Sequence, residues 1–415
     1  MSELARAVFG YATLMGLAWL ISENRKAIPW RTVIGGVVLQ TILTVMFFKI
    51  SFLKTTIAGL NDVMQGLLMA TKSGTSAVFG YLGGAPSPFA SSGSGSSFIL
   101  AFQALPIVLL MSVISALLFH WGVLPRLVKL FSVLLEKIMN VSGSVGLSTA
   151  ANVFLGMVEA PLLIKPYLDK LSRGELFAVM SVGMSGVAGS VMALYAGILS
   201  EQVPDALGHI LIASFVSAPA ALAFSALMVP SEKGSSELPV NIQQVDTNSF
   251  DAIVRATSEG LQTILQIGAT LIVFISLVTL VNELLSWLTV EEHPVTLQGI
   301  LGYLMAPLAW LIGIPWDESV MAGSLLGTKT VLNELVAYID MANLPSGALS
   351  AKSQLILTYA MCGFANLGSL GILIGGMTAM TPVHRKNILD LGLRTIVAGT
   401  LATLSCGCIV SYLIH

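Results

Sequence analysis

The chain has 415 residues, 55% of them hydrophobic and 10% charged, with a net charge of -2 and a mean hydropathy of +0.86. A water-soluble chain carries about 25% charged residues, so this one lacks the polar surface to stay in water, and its near-neutral balance argues against a nucleic-acid partner. Its three cysteines, Cys362, Cys406 and Cys408, lie in apolar runs at a spacing that suits no zinc knuckle and read as small packing residues.

A bilayer span needs about 20 apolar residues. Runs of that kind fall at 4–21, 32–50, 98–120, 175–198, 207–229, 262–288, 355–377 and 389–413. No basic cluster or small-residue cleavage site marks the first run as a cleavable leader. Arg25, Lys26 and Arg31 follow the first span, and Arg126 and Lys129 follow the third. Lys165, Lys170 and Arg173 precede the fourth, and Arg385 and Lys386 separate the last two. Glu201 and Asp205 follow the fourth span, and Glu291 and Glu292 the sixth. The positive-inside tendency then puts the basic loops in the cytoplasm and both termini outside it, in a cell inner membrane.

Other stretches fit no simple span. Residues 55–80, with Asn61, Asp62 and Lys72, read as an amphipathic helix lying on the interface. Residues 82–97 read as an external loop and 231–250 as a mobile cytoplasmic linker. The run 298–314 is apolar enough to span, but a span there breaks the charge alternation, so it is expected at the interface.

Segments 140–172 and 315–345 are too broken by Gly, Pro and Asn to cross unaided, yet both are flanked by membrane segments. Irregular backbone at membrane depth survives only where protein or a water-filled cavity covers it. Two re-entrant hairpins are expected, the first entering from the cytoplasm and the second from outside. The spans that follow them echo one another: Leu176, Gly189, Ser190 and Gly197 recur 179 residues later as Leu355, Gly368, Ser369 and Gly376. Inverted repeats with broken helices are the signature of a secondary transporter whose site lies at the midplane. The fold expected is all-α: about eight transmembrane helices, two oppositely oriented hairpins and interfacial helices in an inverted repeat.

Two carboxylates stand out, Glu159 and Glu334, one in each hairpin. A carboxylate at membrane depth costs a few kcal/mol, so each needs a partner or a purpose; the plainer alternative is that each caps a helix or sits in interfacial water. Pro161 suits the first turn of a helix starting near Glu159, which would aim free N–H groups into a cavity. Asn366 and Ser369 are spaced i, i+3 on the seventh span, with Phe364 just before them. Carboxylate, amide, hydroxyl and aromatic ring together suit a ligand with sugar hydroxyls and a flat base; the alternative is interhelical glue. Asp317 and Glu318 are expected in solvent at a hairpin entrance, and Lys329 near a helix end with its stem snorkelling. The scattered histidines offer no relay. An intramembrane enzyme is disfavoured because no nucleophile or metal-ligand cluster accompanies the paired carboxylates.

At these motifs the chain resembles the concentrative nucleoside transporter family over nearly its whole length. The likeness is carried by Ser22-Glu-Asn-Arg-Lys-Ala-Ile, Arg31-Thr-Val, Ala150-Ala-Asn-Val-Phe-Leu-Gly, Glu159-Ala-Pro-Leu, Glu175-Leu-Phe-Ala-Val-Met, Lys329-Thr-Val-Leu-Asn-Glu and Cys362-Gly-Phe-Ala-Asn. The resemblance implies a homotrimer with a mobile elevator-type transport domain in each protomer and no cofactor beyond a coupling ion, Na+ ahead of H+. The expected division is a scaffold over 1–137, a first transport repeat over 138–230, a linker and scaffold span over 231–297, and an interfacial helix with a second repeat over 298–415. Glu334, Asn366 and Ser369 are expected to hold the ribose. Met157, Val158, Glu159, Val191 and Phe364 are expected to face the base. The sodium site would fall on Asn152, Leu155, Gly186 and Val187.

The sequence also departs from the family pattern. Met157-Val158 stands where Gln-Thr is usual, which removes two hydrogen-bonding groups and relaxes base selectivity. Gly186 and Gly368 stand where serines are usual, and the first change removes an oxygen from the ion site. A proton-coupled carrier of a modified nucleoside or free base is the alternative reading.

Overall fold

Capping side chains decide where many of the helices begin. In the computed structural model, which describes residues 2–89, 98–231, 246–287, 289–290 and 293–414, Ser172 caps the helix Arg173–Ser185 in a reciprocal capping box with Glu175. Ser350 caps Ala351–Met361, Asn333 caps Glu334–Ala342 and Asn366 caps Leu367–Met380. Residues 90–97 of the expected external loop, 232–245 of the expected linker, and Glu291 with Glu292 lie outside the described residues.

In chain order the helices are α1 Glu3–Leu20, α2 Trp30–Lys49, α3 Ser51–Phe79, α4 Ile107–His120, α5 Val123–Met139, α6 Gly143–Asn152, α7 Glu159–Leu162, α8 Lys165–Leu168, α9 Arg173–Ser185, α10 Gly189–Leu199, α11 Ala206–Met228, α12 Ser249–Leu285, α13 Leu297–Leu311, α14 Trp316–Val331, α15 Glu334–Ala342, α16 Ala351–Met361, α17 Leu367–Met380 and α18 Arg385–Leu413. A π-helical turn, Leu100–Ala104, leads into α4, and Thr289–Val290 pairs antiparallel with His293–Pro294. The fold is all-α apart from that ribbon.

Among the described residues six helical stretches are long and apolar enough to cross a membrane, or seven if the bent pair α13–α14 is one span. The first predicted span, α1, and the seventh, split into α16 and α17, fall outside that set. Span four is likewise split, into α9 and α10. The sequence predicts no element at 121–139, where the structure forms the strongly amphipathic α5, with Val128, Phe131 and Leu135 buried and Leu127 and Leu130 exposed. Periods of 3.6 residues explain it: Leu124, Val128, Phe131 and Leu135 fall on one face.

Helix α11 lies at the centre: 89% of its apolar window is buried, against 6% for α12. Around α11 pack α2, α9 and α18, while α12 packs chiefly on α4. Segment 298–314, expected at the interface, forms α13, which turns through 117° and packs along α14. The reversal uses Gly313 at φ +111, a conformation that suits glycine. Gly302, Gly323 and Gly327 let the two backbones approach where a Cβ would collide.

Both expected hairpins leave on the side where they enter. Ser142, before α6, donates to Glu175 Oε1 at 2.7 Å, while Ser172, after α8, donates to Glu175 Oε2 at 2.9 Å. One carboxylate thus ties entry to exit. In the second hairpin Ser350, beyond α15, donates to Glu318 Oε2 at 3.1 Å, at the start of α14. Glu318 is therefore partly covered and engaged, whereas Asp317 is exposed as expected.

Candidate substrate and ion site

The two broken spans meet at their breaks. Backbone between α9 and α10 is extended at Gly186, and backbone between α16 and α17 runs from Cys362 to Asn366. The N–H of Phe364 donates to the carbonyl of Gly186 at 3.2 Å, joining the repeats at the centre. Gly363 makes the crossing close: a Cβ there would lie 2.9 Å from the Ser185 carbonyl oxygen. Helix breaks free N–H and C=O groups from intrahelical bonds, and here those groups surround the hairpin tips.

Glu334 starts α15 at the tip of the second hairpin and is buried. Tyr195 of α10 donates its hydroxyl to Glu334 Oε1 at 2.6 Å, and Asn366 donates its amide to Oε2 at 2.9 Å. Asn366 also accepts the Ser369 N–H on its Oδ1 at 2.7 Å. The i, i+3 spacing is therefore a helix cap, and the other end of the capping side chain ties the start of α17 to the Glu334 carboxylate at the start of α15. A buried carboxylate needs such donors to offset lost hydration. Sequence reasoning missed Tyr195; its signal was a lone phenol on the span that follows the first hairpin.

Glu159 begins α7 at the tip of the first hairpin and is exposed toward the cavity. Its carboxylate folds over Gly156, where any Cβ would collide with it. Met157 packs its Cβ against Gly183, 3.1 Å from where a Cβ would stand, and Val158 lies against Gly376, whose Cβ would come within 2.8 Å of Val158 Cγ1. Gly376, one of the echoed positions, thus lets the first hairpin seat on the second repeat.

A cavity of about 900 Å³, counting its open mouth, lies between these groups. Every substrate-facing candidate from the sequence lines it: Met157, Val158, Glu159, Val191, Glu334, Phe364, Asn366 and Ser369. One wall was not foreseen: Thr263, Gln266, Ile267 and Thr270 come from α12. Thr263, Gln266 and Thr270 recur at i, i+3, i+7 as a polar stripe on an otherwise apolar span, and that stripe was readable in the sequence.

The ion candidates also gather. Asn152 ends α6 and donates Nδ2 to the Val182 carbonyl at 2.9 Å. Phe154 accepts the Gly189 N–H at 3.0 Å, which holds the turn at Leu155 beside the break at Gly186 and Val187. A polar amide and broken-helix backbone inside a buried core suit a hard cation that takes oxygen ligands. Among the described residues no cluster of three or more His, Cys, Asp or Glu could hold a metal.

Lys329 departs from expectation. It lies in the last turn of α14 but does not snorkel: it is 1% exposed, and its Nζ has no hydrogen-bond partner among the described residues. The three cysteines are buried and unbridged, as packing residues would be.

Models of known families cover most of the chain. "Na+ dependent nucleoside transporter N-terminus" matches residues 9–82, "Nucleoside recognition" matches 101–202, and "Na+ dependent nucleoside transporter C-terminus" matches 209–411. The nucleoside permease NupC of Helicobacter pylori is 36% identical, across 95% of this chain and 94% of its own. An uncharacterized transporter of Haemophilus influenzae is 36% identical, across 96% and 95%. Among solved structures, CNTnw in an inward-facing substrate-bound state is similar with a TM-score of 0.91 and 34% identity, covering 100% of both chains. A double variant of CNTnw in an outward-facing state gives a TM-score of 0.90 at 34% identity, covering 100% of this chain and 98% of that one.

Proposed function

The chain belongs to the concentrative, Na+ dependent nucleoside transporter family, and from that membership we propose that it is a secondary transporter that carries nucleosides into the cell by sodium symport. The observation that carries this reading is the Glu334 carboxylate, oriented by Tyr195 and Asn366 at the edge of a cavity between two hairpin tips. A carboxylate has about four lone-pair sites. Two donors leave two sites, a match for the paired hydroxyls of a ribose. Ser369 and the Asn366 cap complete the sugar end, while Phe364, Val191, Met157 and Val158 offer a mostly apolar bed for the base, with Glu159 at its edge.

Asn152, Leu155, Gly186 and Val187 would hold the coupling cation. A bound cation supplies positive charge where the first hairpin meets the helix break, which favours the closed seating of that hairpin. Both hairpins with α9–α11 and α16–α18 form the body that moves, and α4, α5 and α12 form part of the frame, in an elevator within a homotrimer of the inner membrane, both termini outside. The sequence division puts α1 and α2 in the frame; their packing on α18 and α11 favours carrying them with the moving body. Exposed Leu265, Ile272, Leu280 and Leu284 on α12 suit a lipid or subunit contact.

A second reading, proton-coupled transport of a modified nucleoside or free base, draws on the apolar pair Met157 and Val158 and on Gly186. Uptake of labelled uridine, adenosine and free bases into proteoliposomes, under separate sodium and pH gradients, separates the two. Sodium-driven accumulation of nucleosides supports the first reading. Accumulation driven only by pH overturns sodium coupling, and preference for a free base overturns the ribose assignment.

A further inference from the structure

Gly186 has neighbours that its backbone does not explain. Its φ of -117° and ψ of 178° are extended and open to any residue, so conformation does not demand glycine. Space does. A Cβ on Gly186 would lie 3.0 Å from Asn152 Nδ2 and 3.2 Å from Ser214 Oγ. Ser214 sits on α11, the central helix, and is 1% exposed. Its hydroxyl has no hydrogen-bond partner among the described residues. Buried hydroxyls are normally satisfied, so an orphan one beside an amide and a helix break calls for a ligand.

The space beside Gly186 is therefore bordered by Asn152 Nδ2 and, from another helix, by the Ser214 hydroxyl. We infer that Ser214 Oγ is a ligand of the coupling cation, supplying from α11 the side-chain oxygen that Gly186 cannot. The inference rests on the sodium-coupled reading above and adds a residue to its ion site. A hydroxyl keeps two lone pairs for a hard cation, and Ser217, one turn on, donates to the Ser214 carbonyl at 3.1 Å and leaves the Ser214 hydroxyl uncommitted. It also ties the ion to α11, so that the cation would bridge the first hairpin, the broken span and the centre of the core.

The test is the melting temperature of the purified full-length protein in sodium chloride against choline chloride at equal ionic strength, titrated in sodium. The wild type is expected to be stabilised by sodium. Ser214→Ala should raise the half-saturating sodium concentration at least tenfold. The paired variant Gly186→Ser with Ser214→Ala, which moves the hydroxyl across the same gap, should restore it. Gly186→Ser alone should restore nothing and crowd the site, because both hydroxyls then compete for one space. Should Ser214→Ala fail to fold, Ser214→Cys, similar in shape but a poor sodium ligand, replaces it in both tests. A wild type indifferent to sodium overturns the sodium reading itself. A sodium-responsive wild type with an unshifted Ser214→Ala titration overturns the role of Ser214 and leaves that reading standing. A Ser214→Ala loss that the paired variant does not recover assigns Ser214 to packing and likewise overturns it.

Discussion

Tyr195 and Glu334 stand 139 residues apart in the chain and 2.6 Å apart in space, phenol O–H to carboxylate oxygen. The contact joins the second half of one broken span to the tip of the opposite hairpin. Hydrogen bonds to charged groups contribute about 1.5–3 kcal/mol. Tyr195→Phe is therefore expected to weaken nucleoside binding by roughly 10- to 150-fold, measured by equilibrium binding to the purified protein. Binding unchanged within twofold would remove Tyr195 from the site.

Gln266 projects from α12 into the same cavity. Gln266→Leu removes one neutral hydrogen-bonding group, a loss of about 1 kcal/mol, and is expected to weaken binding severalfold. The melting temperature should hold, because the side chain is exposed toward the cavity rather than packed. A melting temperature that falls with affinity intact would make Gln266 a structural residue.

At the crossing of the two breaks, Gly363→Ala would push a methyl group to 2.9 Å from the Ser185 carbonyl and 2.9 Å from Thr403 Cγ2. Overpacking of this kind costs about 1–3 kcal/mol. Lower thermal stability is expected, together with weaker substrate binding, since Phe364 beside this crossing lines the cavity. Wild-type melting would show that the breaks can separate freely.

On the cytoplasmic side as the charge pattern orients the chain, Arg173 and Arg394 hold Glu23 at 2.9 and 2.8 Å. The Arg173 hydrogen bond, first among the causes, keeps the Glu23 carboxyl below its ordinary range. A carboxyl lowered on folding adds stability above its unfolded pKa, and that stability fades as pH falls through the folded value. The pair is partly exposed, so the gain is below about 1 kcal/mol. Glu23→Gln should melt slightly earlier than wild type at pH 7, and the gap should close as the pH falls through and below the ordinary carboxylate range. A gap that widens in acid would contradict the assignment.

Much of this was legible in the chain because hydrophobic length, charge alternation and helix-breaking residues each act locally. The eight apolar runs and both hairpins come from those signals, and Glu334, Asn366 and Ser369 stood out as polar groups where lipid depth makes them costly. Helix α5 escaped because its apolar face is a stripe rather than a run. The burial of Lys329 escaped because burial depends on how the helices pack, which no local signal states. Ser214 was invisible for a like reason: it is an ordinary residue on an apolar span until the break at Gly186 leaves a gap beside it, whereas the Tyr195 phenol was visible and only its partner, Glu334 on the opposite hairpin, was not.

Direct calorimetric binding of uridine and adenosine to the wild type and to Glu334→Gln is the most immediate check on the two-hairpin site. The substitution keeps shape and removes the anion that Tyr195 and Asn366 orient. The wild type should bind at least one of the two nucleosides, and the variant, melting as wild type does, should bind it at least 100-fold more weakly. Affinity retained within a few-fold in the variant would contradict a ribose held at Glu334.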